Sequence, residues 1–431
     1  MPPVSNSRRR PPQRRPKRVK PAAQFTNAVL AAFAERLDDN GPLHTEVLLA
    51  QVLGVAWGQA EWGRTEAVEA LASELIQARP LGHPAGGLLL RCLARTGPSA
   101  TREQARQLLD HGLATGTAAW RQPAWVDRVG TTQLLRGGAL SDVYGDQCSY
   151  YLEFGYLDDG NPEIHLIVVL IDYNLHIIKD MFIAAGSQAF DFIAESASAE
   201  DGTTFSGLDL RSATIDIAHH LWITDHTVGE VFGEQSAETR YLVSARLEQW
   251  LMQEVDSQET AEVSVAQRER ILSAFMNTIA IKGWLTDSGD GEERPSGNTV
   301  RWITDMLITY ACDFGVGDPL RWSPIAVEMF LVDWAPRKVN WQVDDVPWVP
   351  EVLDRFVAYC GKRKKLQPRW IQETRAAVAE FADDFFELTR SGGSKSHAAQ
   401  LMAEMLADGV DPLDQLAVRR WISNYNDDRK I

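Results

Sequence analysis

Cys148, Tyr150, Leu152, Phe154 and Tyr156 alternate with Gln147, Ser149, Tyr151, Glu153 and Gly155. A 3.6-residue period would scatter these side chains, whereas a period of two puts each set on its own face, so the segment reads as a strand with one buried face. Asp158-Asp159-Gly160-Asn161-Pro162 follows as a turn, because Gly and Asn accept positive φ and Pro fixes its own. Ile164–Ile171 is then apolar on both faces, interrupted by His165, so it reads as a strand that needs cover on both sides. Asp172-Tyr173-Asn174 turns the chain again, and Leu175–Ala184 returns as a third strand. This chain must therefore build a sheet in its middle and find helices to bury it.

Helical patterns flank that sheet. Phe25, Val29, Leu30 and Phe33 form one stripe, and Val47, Leu48, Val52, Leu53 and Trp57 form the next. Pro84, then Pro98-Ser99, punctuate later helices. After the sheet, Leu210, Ala213, Ile217, Ala218 and Leu221 give a stripe suited to covering it. A further helix runs from Glu238 to Met252, residues 256–263 read as a linker, and the rest is helical again. Ser323-Pro324 has the composition of a helix start, with Ser capping and Pro in the first turn. Ser396–Asn424 reads as helix, turn, helix. No fixed repeat period emerges.

The expected fold class is α+β, predominantly α-helical with a central three-stranded antiparallel β-meander. The expected organisation is a disordered basic arm (1–20), a helical domain (21–130), an α+β domain (131–255, meander 147–184) and a helical domain (264–431).

Charge is unevenly placed. Arg8, Arg9, Arg10, Arg14, Arg15, Lys17, Arg18 and Lys20 fall in a stretch without acids, and the remaining chain carries 35 basic against 59 acidic residues. An acidic body repels polyphosphate and anionic lipid, so contact with a nucleic acid or other polyanion would start from the arm. The arm has no aromatic residue to stack on bases, so such contact would be weak and blind to sequence. Lys362, Arg363, Lys364, Lys365 and Arg369 form a second basic patch after an expected helix, where cations also complement the helix dipole. No apolar run is long enough to span a bilayer, and no secretory signal is evident, so the expected setting is soluble and cytoplasmic. Cys92, Cys148, Cys312 and Cys360 lie far apart in no zinc or disulfide pattern and read as free thiols.

Asp216, His219, His220, Asp225 and His226 are the densest cluster able to do chemistry. On a helix, His219 and His220 lie three and four residues from Asp216 and share its face. Carboxylate and imidazole together suit a divalent metal or acid–base work, although the spacing matches no established ligand motif. Asp172 and Glu153 could add carboxylates from the meander. Nucleases of the ribonuclease-H type also carry acids on an early meander, an analogy of fold level only. Candidate catalytic residues are thus Asp172, Asp216, His219 and His220, and candidate metal ligands are Asp216, His219, His220, Asp225 and His226. Phosphate-cradling, nucleophile-elbow, zinc-protease and calcium-loop motifs are absent from the sequence. Fourteen Trp residues, several beside Pro or charge as at Trp322 and Trp334, suit helix packing or an aromatic-lined groove for a partner. No cofactor is indicated, although a divalent metal fits the cluster. The sequence favours a non-catalytic interaction or scaffold protein with a basic N-terminal tether and a protein partner. The alternative is a metal-dependent hydrolase or nuclease.

Overall fold

The computed structural model describes residues 23–60, 63–78, 80–116, 120–156, 163–186, 188–197, 202–227, 234–251, 263–286 and 293–390, with Met405, Val410 and Trp421. The basic arm, the turn at 158–162, the linker before Val263 and almost all of the segment Ser396–Asn424 lie outside the described residues.

The chain is mostly helical around one antiparallel sheet. Helices α1 (Ala23–Glu35), α2 (Leu43–Gln59), α3 (Arg64–Gln77), α4 (Gly86–Thr96) and α5 (Ser99–Thr115) come first. Strands β1 (Thr132–Asp142), β2 (Gln147–Tyr156), β3 (Glu163–Asp172) and β4 (Ile177–Ala185) follow, then α6 (Ala189–Ala197), β5 (Thr203–Gly207), α7 (Leu210–His226) and α8 (Glu234–Leu251). The last part holds α9 (Val265–Met276), α10 (Ile279–Thr286), α11 (Gly297–Asp313), α12 (Pro324–Glu328), α13 (Ala335–Lys338), α14 (Val349–Arg363) and α15 (Pro368–Arg390), with a π-helical turn, Met329–Trp334, joining α12 to α13.

The sheet has five strands in the order β4-β3-β2-β1-β5, not the three expected. β1 escapes the alternation rule because a bulge falls between Leu134 and Arg136, leaving Leu135 unpaired and exposed. Its Gly137-Gly138 pair supplies no apolar signal, yet the ring of Phe205 on β5 occupies the space that a side chain at 138 would need. β5 is only five residues long. The last strand of the meander starts at Ile177 rather than Leu175, because the turn continues through His176, whose φ is +57°.

Both faces of β3 are covered, as its composition demands. Ile167, Val169 and Ile171 pack with Ile217 and Leu221 of α7 and Val243 and Leu247 of α8. On the other face, Leu166 and Val168 meet Phe190 of α6 together with Tyr151 of β2, so β2 is covered on both faces rather than the one expected. α8 also turns Ala237, Tyr241 and Leu242 into the core of the N-terminal helices, so one helix serves two cores. A buried polar lock fixes this arrangement. Arg246 of α8 is paired with Glu46 of α2, Tyr156 donates to the same carboxylate at 2.6 Å, and the Gly130 amide donates to its other oxygen at 2.7 Å. Burial opposes the Arg246 charge, but Glu46 and Tyr156 outweigh it and hold the guanidinium protonated.

The C-terminal helices have their own core, built on Phe275, Leu307, Phe330, Phe356 and Phe385. Trp322 and Trp334 are buried there against Tyr310 and Phe330. Ser323 caps α12 by accepting from the Ala326 amide at 3.0 Å, with Pro324 in the first turn. Polar contacts join this part to the sheet. Arg321 donates to Asp146 Oδ1 at 2.6 Å, to the Tyr144 carbonyl at 2.9 Å and to Asn174 Oδ1 at 3.3 Å. Among the described residues no helix is long and apolar enough to cross a membrane.

Candidate functional site

Helix α7 begins where Asp209 accepts from the Ser212 amide, and its inner face buries Ala213, Ile217 and Leu221 against the sheet. That packing aims Asp216 and His220, one turn apart, at the end of the sheet where β2 starts and β3 stops. Tyr150 and Tyr173 each donate to Asp216 Oδ2 at 2.6 Å. His220 Nδ1 lies 2.8 Å from the Asp216 carbonyl and 3.2 Å from its Oδ1. One carboxylate therefore collects two phenols and an imidazole.

The electrostatics follow from those contacts. Burial pushes the Asp216 carboxyl up, but bonds from His220, Tyr150 and Tyr173 outweigh it and leave it below the usual range. Burial pushes His220 down, and the side-chain and backbone bonds to Asp216 carry it above its ordinary value. Both phenols are raised, by burial first and then through Asp216. With Nδ1 turned to Asp216, the proton of neutral His220 sits there and Nε2 carries the lone pair. Nε2 is buried and, among the described residues, without a hydrogen-bond partner. The ring stacks on His176 with centroids 6.4 Å apart and meets His219 edge-on at 5.3 Å. An aspartate-oriented imidazole is an acid–base arrangement in chemical type, here with its free nitrogen closed to solvent.

The other candidates stand elsewhere. Nine residues along a helix is half a turn out of phase, so Asp225 faces away from Asp216. Arg240 pairs with Asp225, and the Trp57 indole donates to it at 2.8 Å. His226 is exposed, its Nδ1 2.7 Å from the Trp222 carbonyl and its ring 4.4 Å from the Trp222 ring. Asp172 forms its turn, accepting from the amides of Asn174 (3.1 Å) and Leu175 (3.2 Å) and from Gln147 Nε2 (3.2 Å). Glu153 takes a two-point bond from Arg136 at 2.9 and 3.1 Å. The structure thus brings together Asp216 and His220, leaves His219 exposed with its ring against the edge of His220, and engages Asp172, Asp225 and Glu153 separately. Among the described residues no group of three or more His, Cys, Asp and Glu side chains is placed to hold a metal ion.

Sequence reasoning passed over Tyr150, Tyr173 and His176. Tyr150 belonged to the buried side of the β2 alternation, and a buried Tyr needs a partner for its hydroxyl, which was the available signal.

The second basic patch has a setting of its own. α14 ends at Gly361–Lys365 with Lys365 at φ +59° and the Leu366 amide bonded to the Gly361 carbonyl at 2.9 Å. Lys362, Arg363, Lys364, Lys365 and Arg369 are all exposed there. Beside them a groove of about 360 Å³ lies between α9 and α14. Ile271, Ala274, Pro319 and Leu320 line it together with Tyr359, Arg270, Arg363 and Asp318.

No protein-family model, curated protein or solved structure matches the chain.

Proposed function

We propose that this protein is a non-catalytic interaction or scaffold protein, with the basic segment 1–20 as a tether to a polyanionic surface. The observation that supports this most is the engagement of the Asp216 carboxylate by Tyr150, Tyr173 and His220, which makes the candidate cluster a clamp holding α7 to the sheet. Asp225 likewise ties α7 to α2 and α8 through Trp57 and Arg240. The bonds to Asp216 and Asp225 occupy acceptor sites that a metal ion would otherwise use. In this reading the units 21–130 and 131–255 act as one body through α8, and 264–431 presents the binding surface. The compartment is cytoplasmic in the same reading.

One observation favours the alternative, a metal-dependent hydrolase or nuclease: the unpartnered Nε2 of His220. The test is a calorimetric titration of Zn²⁺, Mn²⁺ and Mg²⁺ into the full chain, with His220→Ala as control. The proposal expects no stoichiometric binding at this cluster. Tight one-to-one binding that disappears in His220→Ala would replace the interaction reading with the enzymatic one.

A further inference from the structure

We infer that the groove between α9 and α14 receives an acidic segment of a partner protein, an inference that rests on the interaction reading above. Carboxylates of the segment meet Arg270 and Arg363, and one apolar side chain packs on Ile271, Pro319 and Leu320.

The first support is a charge arrangement that the fold does not need. Cations at the end of α14 complement its dipole, which accounts for Lys362 and Arg363. The helix dipole does not account for Arg270, which sits in the middle of α9. Two arginines from different helices therefore line one groove. Among the described residues neither is within ion-pair distance of a carboxylate. Arg270 makes one bond, to the Ala266 carbonyl. The carboxylate at the groove, Asp318, is taken by Lys364. The site is net positive on a chain whose residues beyond 20 carry 59 acidic against 35 basic side chains.

The second support is the lining. Guanidinium groups bind carboxylates by two parallel bonds, a geometry suited to acidic side chains. The floor is apolar, and about 360 Å³ lies near the lower limit of ordinary ligand pockets, enough for a side chain or two. Tyr359 adds one amphipathic ring at the wall. A single-stranded nucleic acid would call for a longer basic track and successive stacking platforms. Charge and lining together match an acidic peptide with an apolar anchor.

The test is fluorescence anisotropy with the full chain and a labelled short peptide of Asp and Glu around two central Leu residues. The same peptide with Asn and Gln, and a labelled oligouridine RNA, serve as comparison probes. Arg270→Glu with Arg363→Glu should weaken the acidic peptide by about 100-fold, roughly tenfold for each lost charge contact. Both side chains are exposed, and an unchanged melting temperature verifies that the variant folds. Lys282→Glu with Lys338→Glu gives the same change of net charge outside the groove and should weaken binding by less than about threefold, as screened distant charges do. Ile271→Asp, which removes the apolar lining and adds a carboxylate, should also abolish binding. The inference is overturned by no binding of the acidic peptide, by equal weakening in the distant-lysine variant, or by RNA binding in its place. These outcomes remove the groove alone, whereas stoichiometric metal binding at His220 removes the interaction reading beneath it.

Discussion

Removing the Asp216 carboxylate tests whether its cluster belongs to the fold. Asp216→Ala deletes two short phenol–carboxylate bonds and the His220 contact. Bonds to a charged group contribute about 1.5–3 kcal/mol each. The two phenol oxygens already lie 3.1 Å apart, so one hydroxyl can turn to the other and recover about 1 kcal/mol. Asp216 is 29% exposed at its side chain, so water reaches part of the gap and reduces the loss further. The net cost is about 3 kcal/mol. At about 2–4 °C per kcal/mol for a unit of this size, the melting temperature falls by about 6–12 °C. Asp216→Asn keeps one acceptor and costs about half as much. The effect depends on pH in a defined direction. The carboxyl is held below its unfolded value, so its contribution is present above that value and is lost as pH falls through the folded one. His220 is held above its unfolded value, so its contribution is complete below that value and is lost as pH rises through the folded one. The gap between wild type and Asp216→Ala is therefore widest between about pH 4 and 6.5 and narrows on both sides. Scanning calorimetry across that range measures it. A melting temperature unchanged by Asp216→Ala, or a gap that grows steadily with pH, would refute the clamp.

Three further outcomes follow from the buried polar groups. Glu46→Gln leaves Arg246 buried without a countercharge and costs about 3–5 kcal/mol in urea unfolding, most of it recovered by adding Arg246→Met. His165 is pushed down to about 3, by burial first and then by Arg246, so it stays neutral in the fold and must protonate on unfolding in acid. Stability then falls by about 1.4 kcal/mol per pH unit below about 6.5, a slope that His165→Phe reduces. Arg321→Met strands the buried Asp146 carboxylate at the junction of sheet and C-terminal helices. It should split a single calorimetric transition in two, and an unaltered single transition would show that the junction carries no coupling.

The central strand was legible because burial on both faces leaves a continuous apolar run, and Ile164–Ile171 has one. The cover supplied by α7 was legible too, since Ile217 and Leu221 recur at helical spacing. β1 was not, because the bulge at Leu135 and the glycines at 137 and 138 break the alternation that marks a strand. β5 was not, because five residues hold too few alternations to tell a strand from a loop. At the candidate cluster, helix periodicity placed Asp216 beside His220 correctly. It could not reveal Tyr150 and Tyr173, which arrive through strand pairing, nor that Arg240 would claim Asp225 from another helix. The groove was invisible for the same reason. Its two arginines are 93 residues apart, and only the packing of α9 on the C-terminal core brings them together.

The affinity of Asp216→Asn protein for the acidic peptide, measured well below its melting temperature, tests most directly whether clamp and groove are separate. If clamp and groove are separate, the variant keeps the wild-type affinity and melts earlier. A weakening of tenfold or more, as the groove variants give, would contradict that separation by making the Asp216 cluster part of the binding site.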